Sequence, residues 1–480
     1  MDIRPILYVN GILLSVLSLS MVFPMLADFY FGSDDWKVFM MCIIITSFFG
    51  GALILGNMGQ DFNITTRQAF LLTNSAWLFL PTFGALPFLL SSLEMSFTDS
   101  FFEAMSGITT TGSTVITGLD NAPAGILLWR AILQWLGGIG IIIMAMSVLP
   151  LLKVGGMQIF MAELSENEKV LPRTAQLASS IVVIYCALTA ICAFSYMYVG
   201  FEIFDAIAHA MTTIATGGFS TYDTSFAHYN RASPEIVAII FMIAGGIPFA
   251  LYIKAVRGNL RPLFTDSQVR WFLSILAISI TVTTSYLMHN DHMGFADSLL
   301  KSTFNIVSIM TGTGYGSDDY NSWGTLIVSL FFFLTVVGAC AGSTSCGIKI
   351  FRFQVLYSVT KVQISKLLHP NGVFLPHYNG KPMPEDVPAS VMGFFFIYAF
   401  GFALLAIALS LVGLDFMTAM SGAATSISNV GPGLGDIIGP KGNFKPLPDS
   451  AKWILSAGML LGRLELFTIL VMLSPQFWRS

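Results

Sequence analysis

An all-α polytopic membrane protein, made of two N-terminal transmembrane helices and four pseudo-symmetric repeats about a common axis, is the fold class that three features of this 480-residue sequence predict. The chain is 55% hydrophobic and only 10% charged, with a mean hydropathy of +0.74, whereas soluble globular chains carry about a quarter charged residues. Apolar runs of about the 20 residues needed to cross a bilayer recur along its length. Between them lie four short, polar, glycine-bearing segments that share one pattern.

The first run, near 4–27, begins "MDIRPILYVNGILLSVLSLSMVFPML". It is too long and continuous for a signal-peptide core and lacks a small-residue cleavage site, so it reads as a retained helix. Further runs near 36–57, 69–91, 124–152, 177–199, 234–256, 271–289, 324–347, 389–412 and 451–474 bring the expected spans to about ten. Cys42, Cys186, Cys192, Cys340 and Cys346 lie in or beside these runs without CxxC spacing, which points to neither a disulfide framework nor a zinc site. The net charge of -4 says little, but its distribution says more. With the N-terminus inside, 14 Lys and Arg outside the spans fall on the inner side, among them Arg4, Lys153, Lys169, Arg173 and Arg257. Seven fall outside, including Arg130, Lys301 and Lys452, so the positive-inside rule favours both termini in the cytoplasm. Acids such as Asp28, Asp99, Glu103, Asp205, Glu235, Asp297, Asp318 and Asp415 crowd the outer connections, a sign of charge that concentrates cations.

The four polar segments are "EMSFTDSFFEAMSGITTTGSTVITGLDNAPAG", "FEIFDAIAHAMTTIATGGFSTYD", "FADSLLKSTFNIVSIMTGTGYGSDD" and "LDFMTAMSGAATSISNVGPGLGD". Each opens near an acid (Asp99, Asp205, Asp297, Asp415), which complements the positive end of a helix dipole, and arrives at a glycine (Gly112, Gly217, Gly314, Gly431). The spacing predicts short helices about 20 Å long, which cannot span a core of about 30 Å and must enter and leave by one side. The following span supplies a second mark: Gly137-Gly138, Gly245-Gly246, Gly338 and Gly458. The organisation is therefore 1–68, two N-terminal helices; 69–153, 154–262, 263–368 and 369–480, four helix–pore-loop–helix repeats around a central pore.

Irregular backbone at membrane depth is tolerated only where protein buries it or water reaches it. Glycine adopts φ > 0 without a Cβ penalty, so carbonyls beside it can turn toward an axis and replace the hydration shell of a cation. One Thr-Gly pair between helices reads as a turn or a packing site; four at repeated offsets read as a ring that suits a monovalent cation.

On the stretches "EAMSGITTTGSTVITGLD", "HAMTTIATGGFSTYD", "TGTGYGSDD", "SNVGPGLGD", "GACAGSTSCGIKIFR" and "AKWILSAGMLLGRLELFTILVMLSPQFWRS", the chain resembles the membrane subunit of the Trk/Ktr bacterial potassium uptake family, most closely its TrkH branch. The resemblance covers essentially the whole chain, including the two extra N-terminal spans. It implies a gated, channel-like potassium pathway through the bacterial cytoplasmic (inner) membrane, a homodimer, and a cytosolic nucleotide-binding regulatory ring (TrkA-like). K+ is then the transported ion, with no organic cofactor in this chain. The filter would comprise Thr110, Thr111 and Gly112; Ala215, Thr216 and Gly217; Gly312, Thr313 and Gly314; Asn429, Val430 and Gly431.

From about Gly324 to Leu368 the chain is twice as long as one crossing requires, with "GACAGSTSCGIK" in the middle. Small residues let this part leave helical geometry, and Ser343, Thr344 and Ser345 supply partners for the freed backbone; GxxxG-type helix packing from Gly338 to Gly342 is the bland reading. The resemblance implies a gate loop beneath the filter: Gly338, Ala339, Cys340, Ala341, Gly342, Ser343, Thr344, Ser345, Cys346 and Gly347. Ser345 and Cys346 stand where relatives are richer in glycine. Arg463 pairs poorly with Glu465, because residues two apart on a helix face different ways, and the resemblance assigns it an electrostatic barrier under the filter. Lys349 joins the gate or snorkels to the cytoplasmic surface. Segments 153–176, 254–270 and 352–386 offer a docking surface for a regulatory partner; they hold no phosphate-binding glycine motif.

Two rival functions differ in class. A secondary transporter coupling K+ to H+ or Na+ is expected to show inverted repeats and midplane carboxylates, whereas these repeats run in one orientation and the loops hold no carboxylate. A membrane enzyme would need a triad such as Ser220, His209 and Asp205, yet no nucleophile motif surrounds Ser220, and His209 on a short apolar helix reads as a packed or capping group.

Overall fold

Pro5, in the first turn of α1 (Arg4–Ser20), costs that helix no hydrogen bond, and the chain continues through α2 (Val22–Phe31) as one span. The computed structural model describes residues 2–59, 65–145, 174–290 and 293–479. Lys153, Lys169, Arg173 and nearly all of the predicted docking segment 153–176 lie outside the described residues, as does the end of the predicted span 124–152. Helix α3 (Trp36–Asn57) packs on α1 through small residues: a Cβ built on Gly11 would sit 2.8 Å from the Gly50 carbonyl oxygen. The Asn10 amide donates to Ser75 Oγ at 2.8 Å and ties this pair to the rest of the molecule.

The remaining helices follow one order four times: a long helix, a short helix, a loop, and a second crossing. The long helices are α4 (Thr66–Gly84, continued by α5, Leu86–Leu90), α8 (Thr174–Tyr198), α13 (Ser267–Asn290) and α17 (Asp386–Leu411). The short ones are α6 (Phe97–Ile108), α9 (Ile203–Ile214), α14 (Phe295–Thr311) and α18 (Phe416–Ser428). With 12, 12, 17 and 13 residues they are about 18–26 Å long at 1.5 Å per residue, short of a crossing. The acids expected at their starts occupy two registers. Asp99, Asp205 and Asp297 stand in the first turn, whereas Asp415 is itself the N-cap, accepting from the Thr418 amide at 3.1 Å. Hydrogen bonds from Thr418 hold the Asp415 carboxyl below its ordinary range.

The second crossings depart from the expected uninterrupted spans. Only α7 (Ala124–Ile143) runs unbroken through its described length. Helices α10 (Ala232–Gly246) and α11 (Phe249–Val256) meet at 95°, because Pro248 brings no N–H to the break. Between them and α13 lies α12 (Arg261–Thr265). Helices α19 (Asp449–Arg463) and α20 (Phe467–Leu473) meet at 107°, with Glu465 and Leu466 both at positive φ. The span expected over 324–347 is instead α15 (Thr325–Val336), a 12-residue helix, followed by a loop and then α16 (Ile350–Leu368). Among the described residues, seven spans are long and apolar enough to cross, or nine with each bent pair taken as one. Among the described residues, three of the four second crossings therefore break, where the sequence suggested one. After α16 a two-stranded hairpin, β1 (His377–Tyr378) and β2 (Lys381–Pro382), turns on Asn379-Gly380, both at positive φ, and a last turn α21 (Pro475–Trp478) closes the chain.

Some charges assigned to outer connections are inside helices instead. Arg130 and Glu103 are buried and paired at 2.8 Å, and Lys452 is buried against Asp99 at 2.6 Å. An ionised group survives in such surroundings when its partner comes with it.

Candidate functional site: a ring of four loops over a folded segment

Each short helix ends in a loop with two left-handed residues separated by one: Thr110 and Gly112 (φ 53° and 88°), Thr216 and Gly218 (49° and 79°), Gly312 and Gly314 (76° and 79°), Asn429 and Gly431 (52° and 112°). The residue between them returns its amide to the helix five positions back. Thr111 donates to Ser106 O, Gly217 to Thr212 O and Thr313 to Ser308 O at 2.9 Å, and Val430 to Thr425 O at 3.1 Å. These bonds satisfy carbonyls that a helix end leaves bare. They also correct the second loop by one residue. Its equivalents are Thr216, Gly217 and Gly218; Ala215 falls in the place of Thr109, Thr311 and Ser428, and Gly218 rather than Gly217 takes the place of Gly112. In "ATGGF" only the backbone dihedral separates the two glycines. The other three predicted triplets keep their register.

The loops meet in a closed cycle. A Cβ on Gly112 would come under 3.0 Å from the Gly217 carbonyl oxygen, on Gly218 from Thr313 O, on Gly314 from Val430 O, and on Gly431 from Thr111 O. Each glycine thus lies against the middle carbonyl of the next loop, first to second, second to third, third to fourth and fourth to first. Behind the ring, side chains stitch the loops. Thr109 and Thr111 hydroxyls are 2.8 Å apart, as are those of Thr311 and Thr313, and the Asn429 amide donates to Thr111 Oγ1 at 2.9 Å across the first and fourth loops. Gln134 brackets Gly218, donating to Gly217 O at 2.5 Å and accepting from the Phe219 amide at 3.0 Å. The second-helix glycines make room: a Cβ on Gly137 or Gly462 would strike a carbonyl at the end of the adjacent short helix, at Ile108 or Ile427. In the fourth unit that role belongs to Gly462; the expected Gly458 packs on Ser426.

Beneath the ring, residues 337–349 form no helix, which removes the GxxxG packing reading. The segment closes on itself in a parallel bridge of Val337 with Ile348, and Ala339 N donates to Ser345 Oγ at 3.0 Å. It also fills the break between α10 and α11. Thr344 and Cys340 amides donate to Gly245 O and Gly246 O at 3.2 Å, and the Phe249 amide donates to Gly342 O at 2.9 Å. The bend and the loop satisfy each other's freed backbone groups, the condition for irregular chain at this depth. Gln268 holds the Ala341 amide at 3.0 Å.

Cys346 reaches the first loop, with its Sγ 3.9 Å from Thr110 Oγ1, and the Arg463 guanidinium donates to the same sulfur and, at 2.9 Å, to Gly137 O. Arg463 is 1% exposed, and Glu465 is taken by Arg352. Lys349 does not snorkel: it is buried and its ammonium donates to Ser345 O. Lys349, Arg352, Arg463 and Glu465 border an internal cavity of about 30 Å³.

His209, expected to be packed or capping, is buried with Nδ1 2.9 Å from Asp205 O and Nε2 3.1 Å from Ser220 Oγ. The Asp205 carboxylate turns instead to Thr221 (2.7 Å) and Tyr222 (2.8 Å), so the three groups do not form a relay. Sequence reasoning missed Gln134, Arg130 and Arg352; the available signal was an ionisable or amide residue inside an apolar helix.

A family model described as TrkH, a cation transport protein, matches residues 35–480. The Trk system potassium uptake protein TrkI of Halomonas elongata is 44% identical, over 99% of this chain and 97% of its own length. The Trk system potassium uptake protein TrkH of Escherichia coli K12 is 34% identical over the full length of both. The crystal structure of the potassium transporter TrkH from Vibrio parahaemolyticus superposes with a TM-score of 0.92 at 33% identity, covering both chains completely.

Proposed function

The chain belongs to the TrkH family of cation transport proteins, and from that premise we propose that it is the membrane subunit of a potassium uptake system, with the ring of loops as its selectivity filter. The observation that carries this reading is the closed cycle of glycine against carbonyl around four loops. Such a ring places backbone oxygens where they can substitute for the water around a dehydrated monovalent cation. The partly negative C-terminal ends of α6, α9, α14 and α18 lead into the same loops and favour positive charge there.

Segment 338–347 is the gate in this reading. It lies under the filter, touches Thr110 through Cys346, holds Arg463 at the Cys346 sulfur and holds Lys349 against its own backbone at Ser345 O. Two cationic groups at that depth raise the energy of a cation leaving the filter toward the cytoplasm. Opening then requires the segment to leave the α10–α11 break, giving up its bonds to Gly245 and Gly246. Both termini are placed in the cytoplasm, the subunit works as a homodimer in the bacterial inner membrane, and a TrkA-like nucleotide-binding ring docks on 254–270 and 352–386. An open groove of about 540 Å³ beside the hairpin, lined by Trp271, Tyr357, Lys361 and Phe374 among others, supports that docking face.

Alternating access coupled to H+ or Na+ is the competing reading. Single-protein currents in planar bilayers separate the two: unitary conductance far above carrier turnover is the expected result, and stoichiometric coupling to H+ or Na+ without unitary events would reject the channel.

A further inference from the structure

Seven positions before the first left-handed residue of each loop, about two helical turns back, stand Glu103, His209, Asn305 and Gly422. Their chemistry differs completely, yet the first three make the same connection. Glu103 accepts from the Thr114 hydroxyl and the Val115 amide, both at 2.9 Å. His209 Nε2 meets Ser220 Oγ at 3.1 Å. The Asn305 amide donates to Ser317 Oγ at 3.1 Å and its oxygen accepts from Ser317 N at 3.3 Å. In every case the partner stands four or five residues beyond the first left-handed residue, on the limb that leads out of the ring. In the fourth unit Gly422 has no side chain to offer, and the neighbouring Ser421 hydroxyl accepts from the Leu434 amide at 3.0 Å, again five residues beyond.

We propose that Glu103, His209, Asn305 and Ser421 are positioning residues for ion discrimination, each clipping the outgoing limb of its loop to the short helix and so holding the ring at one radius. The proposal rests on the filter reading above. All four are buried, so each bond is shielded from competing water. Two are tied further. Arg130 pairs with Glu103 at 2.8 Å, donates to Ser220 O at 2.7 Å and lies 4.0 Å over the Phe219 ring, linking the first clip to the second loop. Lys301 donates to Ser317 O at 2.9 Å while facing Glu235 at 3.4 Å, linking the third loop to the second unit. Four loops held by anionic, imidazole, amide and hydroxyl groups need not respond alike: the first, charge-assisted and paired, is the stiffest.

Glutamine reaches as far as histidine Nε2, whereas asparagine stops at the distance of Nδ1. His209→Gln therefore keeps a polar atom near Ser220 Oγ, and His209→Asn does not. In proteoliposomes, His209→Asn is expected to raise the Na+/K+ flux ratio roughly fivefold, the equilibrium worth of one net hydrogen bond, while His209→Gln stays near wild type. Asn305→Leu, on a different short helix from His209, is expected to shift the ratio in the same direction and covers the case in which His209→Asn fails to fold. Unchanged ratios in the folded clip variants overturn the clips and leave the filter standing. A wild-type protein that does not discriminate K+ from Na+ overturns the filter, and the clips with it.

Discussion

At Gly314 the backbone holds φ 79°, and a Cβ there would crowd the Val430 carbonyl and stand 2.8 Å from Pro432 Cδ. A side chain costs about 1–2 kcal/mol for the left-handed dihedral alone and displaces the neighbouring loop besides. Gly314→Ser is therefore expected to weaken potassium-over-sodium discrimination in flux assays, with Gly316→Ser as the tolerant control, since its nearest neighbour would be Pro440 O at 3.7 Å. Equal selectivity in the two variants would take Gly314 out of the filter. Arg463 poses the opposite question, because its charge rather than its shape is at issue. Arg463→Ala removes the donor to Cys346 and Gly137 and should raise opening probability or conductance; a folded but silent variant would assign the residue a purely structural role.

Among the elements, the folded segment 337–349 and the α10–α11 break form one unit, since each supplies the other's missing hydrogen-bond partners. Thr344→Val deletes the 3.0 Å bond from its hydroxyl to Gly245 O at nearly constant volume. About 1 kcal/mol less holds the segment in place, so the equilibrium between held and released states should move roughly fivefold toward release, read as open probability in bilayer recordings. The α19–α20 bend depends on a different element pair. Arg352 on α16 reaches Glu465 at the corner, and neutralising that carboxylate removes the charge partner Glu465 supplies to a buried guanidinium. Glu465→Gln is expected to lower thermal stability in detergent by an amount on the order of 3–5 kcal/mol, recovered in part by the double change Arg352→Met with Glu465→Gln. A double variant no more stable than Glu465→Gln alone would mean that the pair does not hold the corner.

For the whole molecule, four units of unlike sequence close one ring, and the ring's asymmetry distinguishes it from a symmetric tetramer. Among the described residues, the third unit carries the longest insertion between the halves of its second crossing, residues 337–349, and in the proposed reading that segment plugs the pathway from one side. In the proposed reading a single plug is the point of control for a partner docked on the proposed cytoplasmic face, near α12, α16 and the hairpin. Potassium influx into proteoliposomes is accordingly expected to rise when the cognate nucleotide-binding partner is added on that side, with sodium influx lagging behind; a partner-independent rate would detach regulation from this face.

Much of this was legible in local pattern. Hydropathy established the membrane class, because about 20 apolar residues can satisfy their backbone in lipid only as a helix. The short polar segments and their glycines marked four loops, since half-helices and left-handed turns leave marks within a dozen residues. The left-handed turns of three loops and the rough position of the non-helical segment 337–349 were readable for the same reason. The second loop was not, because two adjacent glycines look identical until the backbone assigns φ 79° to Gly218. Nor were the bend at Pro248 against the gate segment, the Arg352–Glu465 pair, or the link from Arg130 through Glu103 to Ser220. These depend on groups from different repeats meeting in three dimensions, where burial selects partners by distance and charge, and no periodicity along one helix records who stands opposite.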